Sequence, residues 1–210
     1  MKNKVVKASL ISITLILLQT IIFFLTKWSV NSIHLINNSS IDSFIPFSPY
    51  FIYFYVSWYI LLFLIPFIAY FKNKKVLNEY IILSITTCIL VGLTYIIYPT
   101  TIIRANFSIN NISSYLVNLM YKIDTPVRNC FPSAHCIYSF IFIICLFKIK
   151  NINKIFRYFL IFISIMIIPT TLLIKQHVFI DVVGAIIYIV FIIIISKFLI
   201  KHIKFKRIDK

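Results

Sequence analysis

The sequence predicts an all-α polytopic membrane protein with six transmembrane helices and both termini in the cytoplasm. Three observations predict it. The chain is 61% hydrophobic and only 12% charged, about half the charge of an ordinary soluble domain. Its apolar residues run in long uncharged blocks rather than amphipathic stripes, which is how spans read. Its basic residues cluster between alternate blocks, which sets orientation.

Charge-free windows locate the elements. Lys7 to Lys27 brackets 19 residues, Asp42 to Lys72 brackets 29, and Glu79 to Arg104 brackets 24. Arg128 to Lys148 brackets 19, Arg157 to Lys175 brackets 17, and Asp181 to Lys197 brackets 15. A span needs roughly 17 to 25 residues. The expected spans are 8–26, 51–71, 80–98, 133–147, 158–174 and 178–196, in a single membrane domain of residues 1–210. The last helix is expected to start near His177 and to carry Asp181 in its first turns. The first block is long for a signal core, and no small-x-small cleavage site follows before Trp28. It is read as a permanent helix.

The net charge of +16 raises nucleic acid as a partner, and its distribution argues against one. With alternating helices, sixteen of the 21 Lys and Arg residues fall on the side of Lys2, Lys72, Lys148 and Lys197. The other side receives Lys27, Arg104, Lys122, Arg128 and Lys175. This positive-inside bias puts both termini in the cytoplasm. The basic tail, Lys197 to Lys210, reads as a topology anchor touching anionic lipid headgroups. Cys88 and Cys145 read as packing residues within spans. Cys130 and Cys136 lack the spacing of a metal site, and a bridge between them would require one partner a turn inside a helix.

Two outer loops are long, about Trp28 to Pro49 and about Pro99 to Phe131. In the second, Tyr115, Leu116, Leu119 and Met120 recur at helical spacing and predict a short interfacial helix. Asn106-Phe-Ser108 and Asn111-Ile-Ser113 match glycosylation acceptors, which Asn-rich chains also produce by chance.

The polar residues of the outer face form the candidate site. Arg104 ends the third block in YPTTIIRANF, and His135 opens the fourth in NCFPSAHC. Lys175, His177 and Asp181 join the last two in IKQHVFID. All fall on one membrane face in the topology set by charge. The two histidines are 42 residues apart, the length of a helix down, a short loop and a helix back. His177 and Asp181, four apart, share one helix face, so the carboxylate can orient one ring nitrogen and leave the other as base or nucleophile. A structural interfacial His–Asp pair has the same spacing. Pro132 and Ser133 are helix-start residues, with Ser133 as cap and free N–H groups suited to an anion. A capped helix start with an interfacial histidine has the same sequence. Arg104, Lys175 and Arg128 add positive charge. Each alone reads as a snorkelling anchor; together with the histidines they suggest a phosphate pocket.

These residues resemble the type 2 phosphatidic acid phosphatase superfamily, the lipid phosphate phosphatases, over roughly Tyr95 to Gly184. Pro132-Ser133-Ala134-His135 is similar to its Pro-Ser-Gly-His motif. His177-x-x-x-Asp181 is similar to the end of its third motif, and Arg104 sits at the Arg of its first. The chain departs at Ile97 (Lys in the family), Ala105 (Pro), Ala134 (Gly), and Thr170 and Thr171 (Ser-Arg). The resemblance implies a metal-independent mechanism with no cofactor. His177 attacks phosphorus and becomes phosphohistidine, and Asp181 orients it. His135 protonates the leaving alkoxide and then activates water. Arg104, Lys175, Arg128 and the N–H groups near Ser133 hold the phosphate oxygens, with Lys175 compensating for the missing cations. The implied substrate is a membrane lipid phosphate or diphosphate. The expected location is the plasma membrane of a bacterial cell, with the site facing outside. Two alternatives accompany this reading: a phosphotransferase similar to inositol phosphorylceramide and sphingomyelin synthases, and a non-catalytic protein that binds or transports lipid phosphate.

Overall fold

A computed structural model describes residues 2–28, 32–36 and 39–202. The elements are α1 (Lys2–Lys27), β1 (His34–Leu35), α2 (Ser40–Phe44), α3 (Ile52–Lys72, entered through a 3-10 turn at Pro49–Phe51), α4 (Lys74–Ile97), β2 (Thr100–Thr101), α5 (Ile112–Ile123), α6 (Ala134–Lys148), α7 (Lys154–Leu173) and α8 (Phe179–His202). Five helices, α1, α3 with its entry turn, α4, α7 and α8, are long and apolar enough to cross a membrane.

The fourth expected span, 133–147, is present as α6 but has only 15 residues, about 22 Å of helix. Its surroundings explain why so short a helix is tolerated. It packs against α3, α4, α7 and α8, and Cys136, Ile137, Ile141, Phe142, Cys145 and Leu146 are fully buried. A helix sheathed by protein need not match the thickness of lipid. α1 is the opposite case. It packs on α3 and α4, and of its 26 residues only Ala8, Ser12, Thr26 and Lys27 are buried. The middle of α1 leans on the core through Ile11, Ser12, Leu15 and Ile16, and its outward face carries Leu10, Ile13, Leu17 and Ile21.

Asn side chains start three of the helices, two of them at the basic end of the bundle, as expected for residues that accept a free first-turn N–H. Asn73 accepts from Val76 (3.2 Å) and Asn153 from Phe156 (3.1 Å). Both sit in the short basic connections, where Lys148 pairs with Glu79 at 2.5 Å. The distal tail residues Lys204, Lys206, Arg207 and Lys210 lie outside the described residues.

A cap layer covers the other end of the bundle. β1 and β2 pair in parallel, His34 opposite Thr100 and Leu35 opposite Thr101, a small ladder in the fold expected to be all-α. The expected interfacial helix is present as α5, started by Asn111, which accepts from Ser114 at 2.9 Å. Its buried face differs from the one expected. Val117 is fully buried against Ile52, Tyr55 and Ile174, with Leu116, Met120 and Tyr121 alongside, whereas Tyr115 and Leu119 are exposed. A partner on one side of the helix, not its own periodicity, selects the face.

Two further boundaries shift. α4 ends at Ile97, so Arg104 lies beyond β2 in the following segment rather than at the end of a span. α8 starts at Phe179, after His177. All four cysteines are free and buried, Cys130 and Cys136 included.

Candidate active site

Two helix ends deliver the histidines. α6 begins at Ala134, and Ser133 caps it, accepting from the Cys136 N–H at 3.4 Å. Several contacts hold the approach to this helix. Thr100 Oγ1 accepts from the N–H groups of Cys130 and Phe131 at 3.1 and 2.8 Å. Tyr95 donates to the Pro132 carbonyl at 2.9 Å. Asn129, in the left-handed conformation that Asn tolerates, donates to Phe23 and Thr26 of α1. The Ser133 N–H reaches the Asp181 carbonyl at 3.2 Å, which ties the start of α6 to the start of α8.

α7 ends in a Schellman arrangement, the closed turn that satisfies the last carbonyls of a helix. Gln176 N–H bonds Thr171 O at 3.0 Å and Lys175 N–H bonds Leu172 O at 3.1 Å. The position that favours glycine is Lys175, at φ 52°, a conformation costing an L-residue about 1–2 kcal/mol. Its side chain helps to offset this, since Nζ donates to the carbonyls of Asp42 and Ile45 at 2.9 and 2.6 Å. Lys175 thus shapes the turn that presents His177 and straps the cap layer to it. It does not line the cavity of the histidines, so the geometry does not favour the compensating phosphate role expected of it.

His177 Nδ1 lies 3.0 Å from Asp181 Oδ2, which also accepts from the Val178 N–H at 3.1 Å. The expected pair forms, but in the turn entering α8 rather than along one helix face. Asp181 is fully buried, and a buried carboxylate with such partners holds the ring in one orientation. The Asp181 Oδ1 atom has no partner among the described residues.

His135 projects from the first turn of α6 into a set of rings from α3. It stacks on Tyr55 (centroids 4.6 Å, 28°) and lies 4.3 Å from Trp58. Its ring centroid is 5.7 Å from that of His177, close enough for a single reacting group to sit between them. His135 Nε2 is buried and unpartnered among the described residues.

Both histidines line a cavity of about 220 Å³. Asp124, Arg128 and Gln176 line its polar end. Gln176 Oε1 accepts from Arg104 at 2.6 Å, while Gln176 Nε2 and Arg104 Nε are unpartnered among the described residues. Arg104 also donates to the Tyr121 carbonyl (3.0 Å), covers the Tyr121 ring, and pairs with Asp124. Burial pushes the Tyr121 phenol up to about 12, against the opposing charge of Arg104, so it stays a neutral donor to Ile174 O at 2.6 Å. Arg128 donates to Lys27 O at 2.9 Å. Burial likewise pushes the Cys130 thiol up, which keeps this cavity-lining sulfur out of nucleophilic chemistry.

The other end of the cavity is mostly apolar, with Gln19 and Thr20 of α1 as its polar side chains. Ile16, Thr20 and Phe23 of α1 face Trp58, Tyr59 and Leu62 of α3 across it. Phe24, Tyr59 and Ile123 both line the cavity and are exposed on the outer surface, so the slot opens between α1 and α3 beneath the end of α5. Ile16 lies eleven residues before Lys27, about 16 Å along the helix.

The structure thus brings His135, His177 and Arg128 to one cavity, with Asp181 buried behind His177 and Arg104 behind Gln176 and Asp124. Ser133 shapes the helix start with its side chain fully buried. Sequence reading did not single out Gln176, Asp124, Lys27 or the α3 rings; the immediate proximity of Gln176 to His177 is the one signal that pointed to any of them. Among the described residues, no three His, Cys, Asp or Glu side chains gather to hold a metal ion. A family model described as the PAP2 superfamily matches residues 99–204. No curated protein and no solved structure matches the chain.

Proposed function

Because the chain belongs to the PAP2 superfamily, we propose that it is an integral membrane phosphatase that removes phosphate from a lipid phosphate or diphosphate at the extracytoplasmic face. One observation carries this reading. The two imidazoles lie edge to face, with centroids 5.7 Å apart, at one end of a slot that reaches the surface between α1 and α3. An apolar tail fits the α1–α3 end, and a phosphate fits the histidine end.

The chemistry proceeds in two displacements. Asp181 engages Nδ1 of His177, which leaves Nε2 to attack phosphorus. The P–O bond to the lipid breaks as the N–P bond forms, and His135 gives its proton to the departing alkoxide. Water then attacks the phosphohistidine and passes a proton to His135. The N–P bond breaks and orthophosphate leaves. The rings of Tyr55 and Trp58 fix the plane of His135, and donors arranged around the pocket stabilise the equatorial oxygens without reorganising. Gln176 Nε2 and, behind it, Arg104 Nε, which have no partner among the described residues, are suited to this work.

α6 serves as a sixth span, its outer end sunk beneath the cap layer. The bias of basic residues supports a cytoplasmic opposite end of the bundle and cytoplasmic termini. In a plasma membrane, that orientation would turn the site outward.

The test is phosphate release from a panel of lipid phosphates in detergent without divalent metal. Wild type should release phosphate, and His177→Ala should not. Release unchanged by His177→Ala on every lipid sinks the proposal. One feature favours a second reading, transfer to an acceptor alcohol: Thr170 and Thr171 stand where the hydrolytic pattern has Ser-Arg. Product analysis with and without an alcohol separates the two. Lipid-phosphate binding with no trappable phosphohistidine would instead mark a non-catalytic protein.

A further inference from the structure

Lys27 closes α1 and is 2% exposed, yet it is a lysine with no place in the mechanism above. A buried ammonium is costly without a partner. Its partner is Asp124, at 2.8 Å through Oδ1. The second oxygen of the same carboxylate pairs with Arg104. One carboxylate therefore bridges two cations that come from distant parts of the chain.

The arrangement is layered. Asp124 lines the cavity of the two histidines, and Lys27 and Arg104 do not. The carboxylate is 26% exposed, against 2% for Lys27 and 9% for Arg104. An anion entering the cavity meets Asp124 before it meets either cation. Phosphate can make the same two contacts, because guanidinium and ammonium groups bind carboxylate and phosphate oxygens alike, with a planar fork that suits both.

We propose that Asp124 is an internal stand-in for the substrate phosphate, held by Lys27 and Arg104 while the site is empty, and that the incoming phosphoryl group displaces it onto those two cations. The inference rests on reading this cavity as a phosphate site. Charge supports the exchange. A phosphate monoester carries about −1.5 to −2 at neutral pH, which two cations match better than two cations already bridged by a carboxylate. Position supports it as well. Asp124 occupies the turn that ends α5, so its side chain can swing out without moving a span. Lys27 then supplies, from a helix outside residues 99–204, the second cation that Ile97 does not.

The competing account makes Asp124 a clamp that holds Lys27 and Arg104 in position for the phosphate. The two accounts predict opposite signs for one variant. The full chain in detergent is titrated with radiolabelled orthophosphate at constant ionic strength. Asp124→Asn should bind at least about fivefold tighter than wild type. Adding Lys27→Gln to that variant should weaken binding by about tenfold or more, and Lys27→Arg should restore most of it. Unchanged or weaker binding by Asp124→Asn, with wild type binding, overturns this inference alone. Failure of wild type and Asp124→Asn alike to bind orthophosphate overturns the phosphate site with it. A measurement on the wild-type chain keeps the test independent of how the variants fold. Saturating orthophosphate should raise the reaction of Asp124 with a carboxyl-directed diazo reagent, read by peptide mass spectrometry. Unchanged reaction at saturation overturns the displacement.

Discussion

Nδ1 of His177 lies 3.0 Å from Oδ2 of Asp181, although only Asp181 belongs to α8. The contact is made across the turn that enters the helix, and the same oxygen holds the Val178 N–H. Asp181→Asn keeps the size of the side chain but loses its charge and its control of the imidazole tautomer. Turnover should fall by about 10²- to 10⁴-fold with KM little changed, the loss expected when a buried aspartate behind a catalytic histidine is neutralised. Steady-state phosphate release measures it, and a loss under tenfold would remove Asp181 from the mechanism.

His135 acts twice in the proposed cycle, so its loss should depend on the leaving group. An alkoxide needs a proton, and His135→Ala should slow alkyl phosphates by about 10²- to 10⁴-fold. Nitrophenolate leaves without one, so the first displacement survives while the second, which needs water activated, does not. The variant given radiolabelled p-nitrophenyl phosphate should accumulate protein-bound phosphate that is acid-labile and alkali-stable. Equal loss on both substrates, with no bound phosphate, would assign His135 another role.

His135, His177 and Asp181 were legible in the sequence because they are polar residues at the edges of apolar blocks, where lipid offers no reason for them. Hairpin length alone returned both histidines to one depth. Lys27 was not legible, since a lysine ending an apolar block reads as a snorkelling anchor. Only folding brings Asp124, 97 residues away, against it. Lys175 misled for a related reason. Its charge was visible beside His177, but its left-handed backbone and the carbonyls of Asp42 and Ile45 that hold its ammonium were not. Composition located the long helices, whereas the short α6 depends on four neighbours that sheath it. The buried face of α5 depends on contacts at Ile52, Tyr55 and Ile174, which lie in other parts of the chain.

Gly184 is the point where α8 passes under the loop that leads through Ser133 to His135 of α6. A Cβ there would lie 2.3 Å from Phe131 Cε2 and 2.7 Å from Cζ, so the ring must move. Phe131 packs edge-on against Tyr188 and directly precedes Pro132 and Ser133. Gly184→Ala should destabilise the protein by about 1–3 kcal/mol and reduce phosphate release by shifting His135. Adding Phe131→Leu removes the two closest ring atoms and should recover most of the melting temperature in detergent. A Gly184→Ala chain that melts like wild type would show that the ring yields freely.

Asp42 joins the cap layer to the site through its charge. Oδ1 accepts from the Phe179 N–H at 2.7 Å, at the start of α8, and Oδ2 accepts from the Ser39 N–H and hydroxyl at 2.8 and 2.6 Å. Burial alone would raise this carboxyl, but the Ser39 and Phe179 hydrogen bonds and the nearby Lys175 charge outweigh it and hold it below the usual carboxylate range. A folded value below the unfolded one means that the carboxylate favours the folded cap layer at every pH above the unfolded value, about 3.9. That contribution drains away as pH falls through the lowered value. Wild type should therefore lose protection of residues 39–49 from an acid-active protease as pH drops below about 4. Asp42→Asn should be less protected at neutral pH and should show a much smaller further loss over that range. Parallel curves for the two proteins would mean that Asp42 does not carry the acid sensitivity of the cap layer.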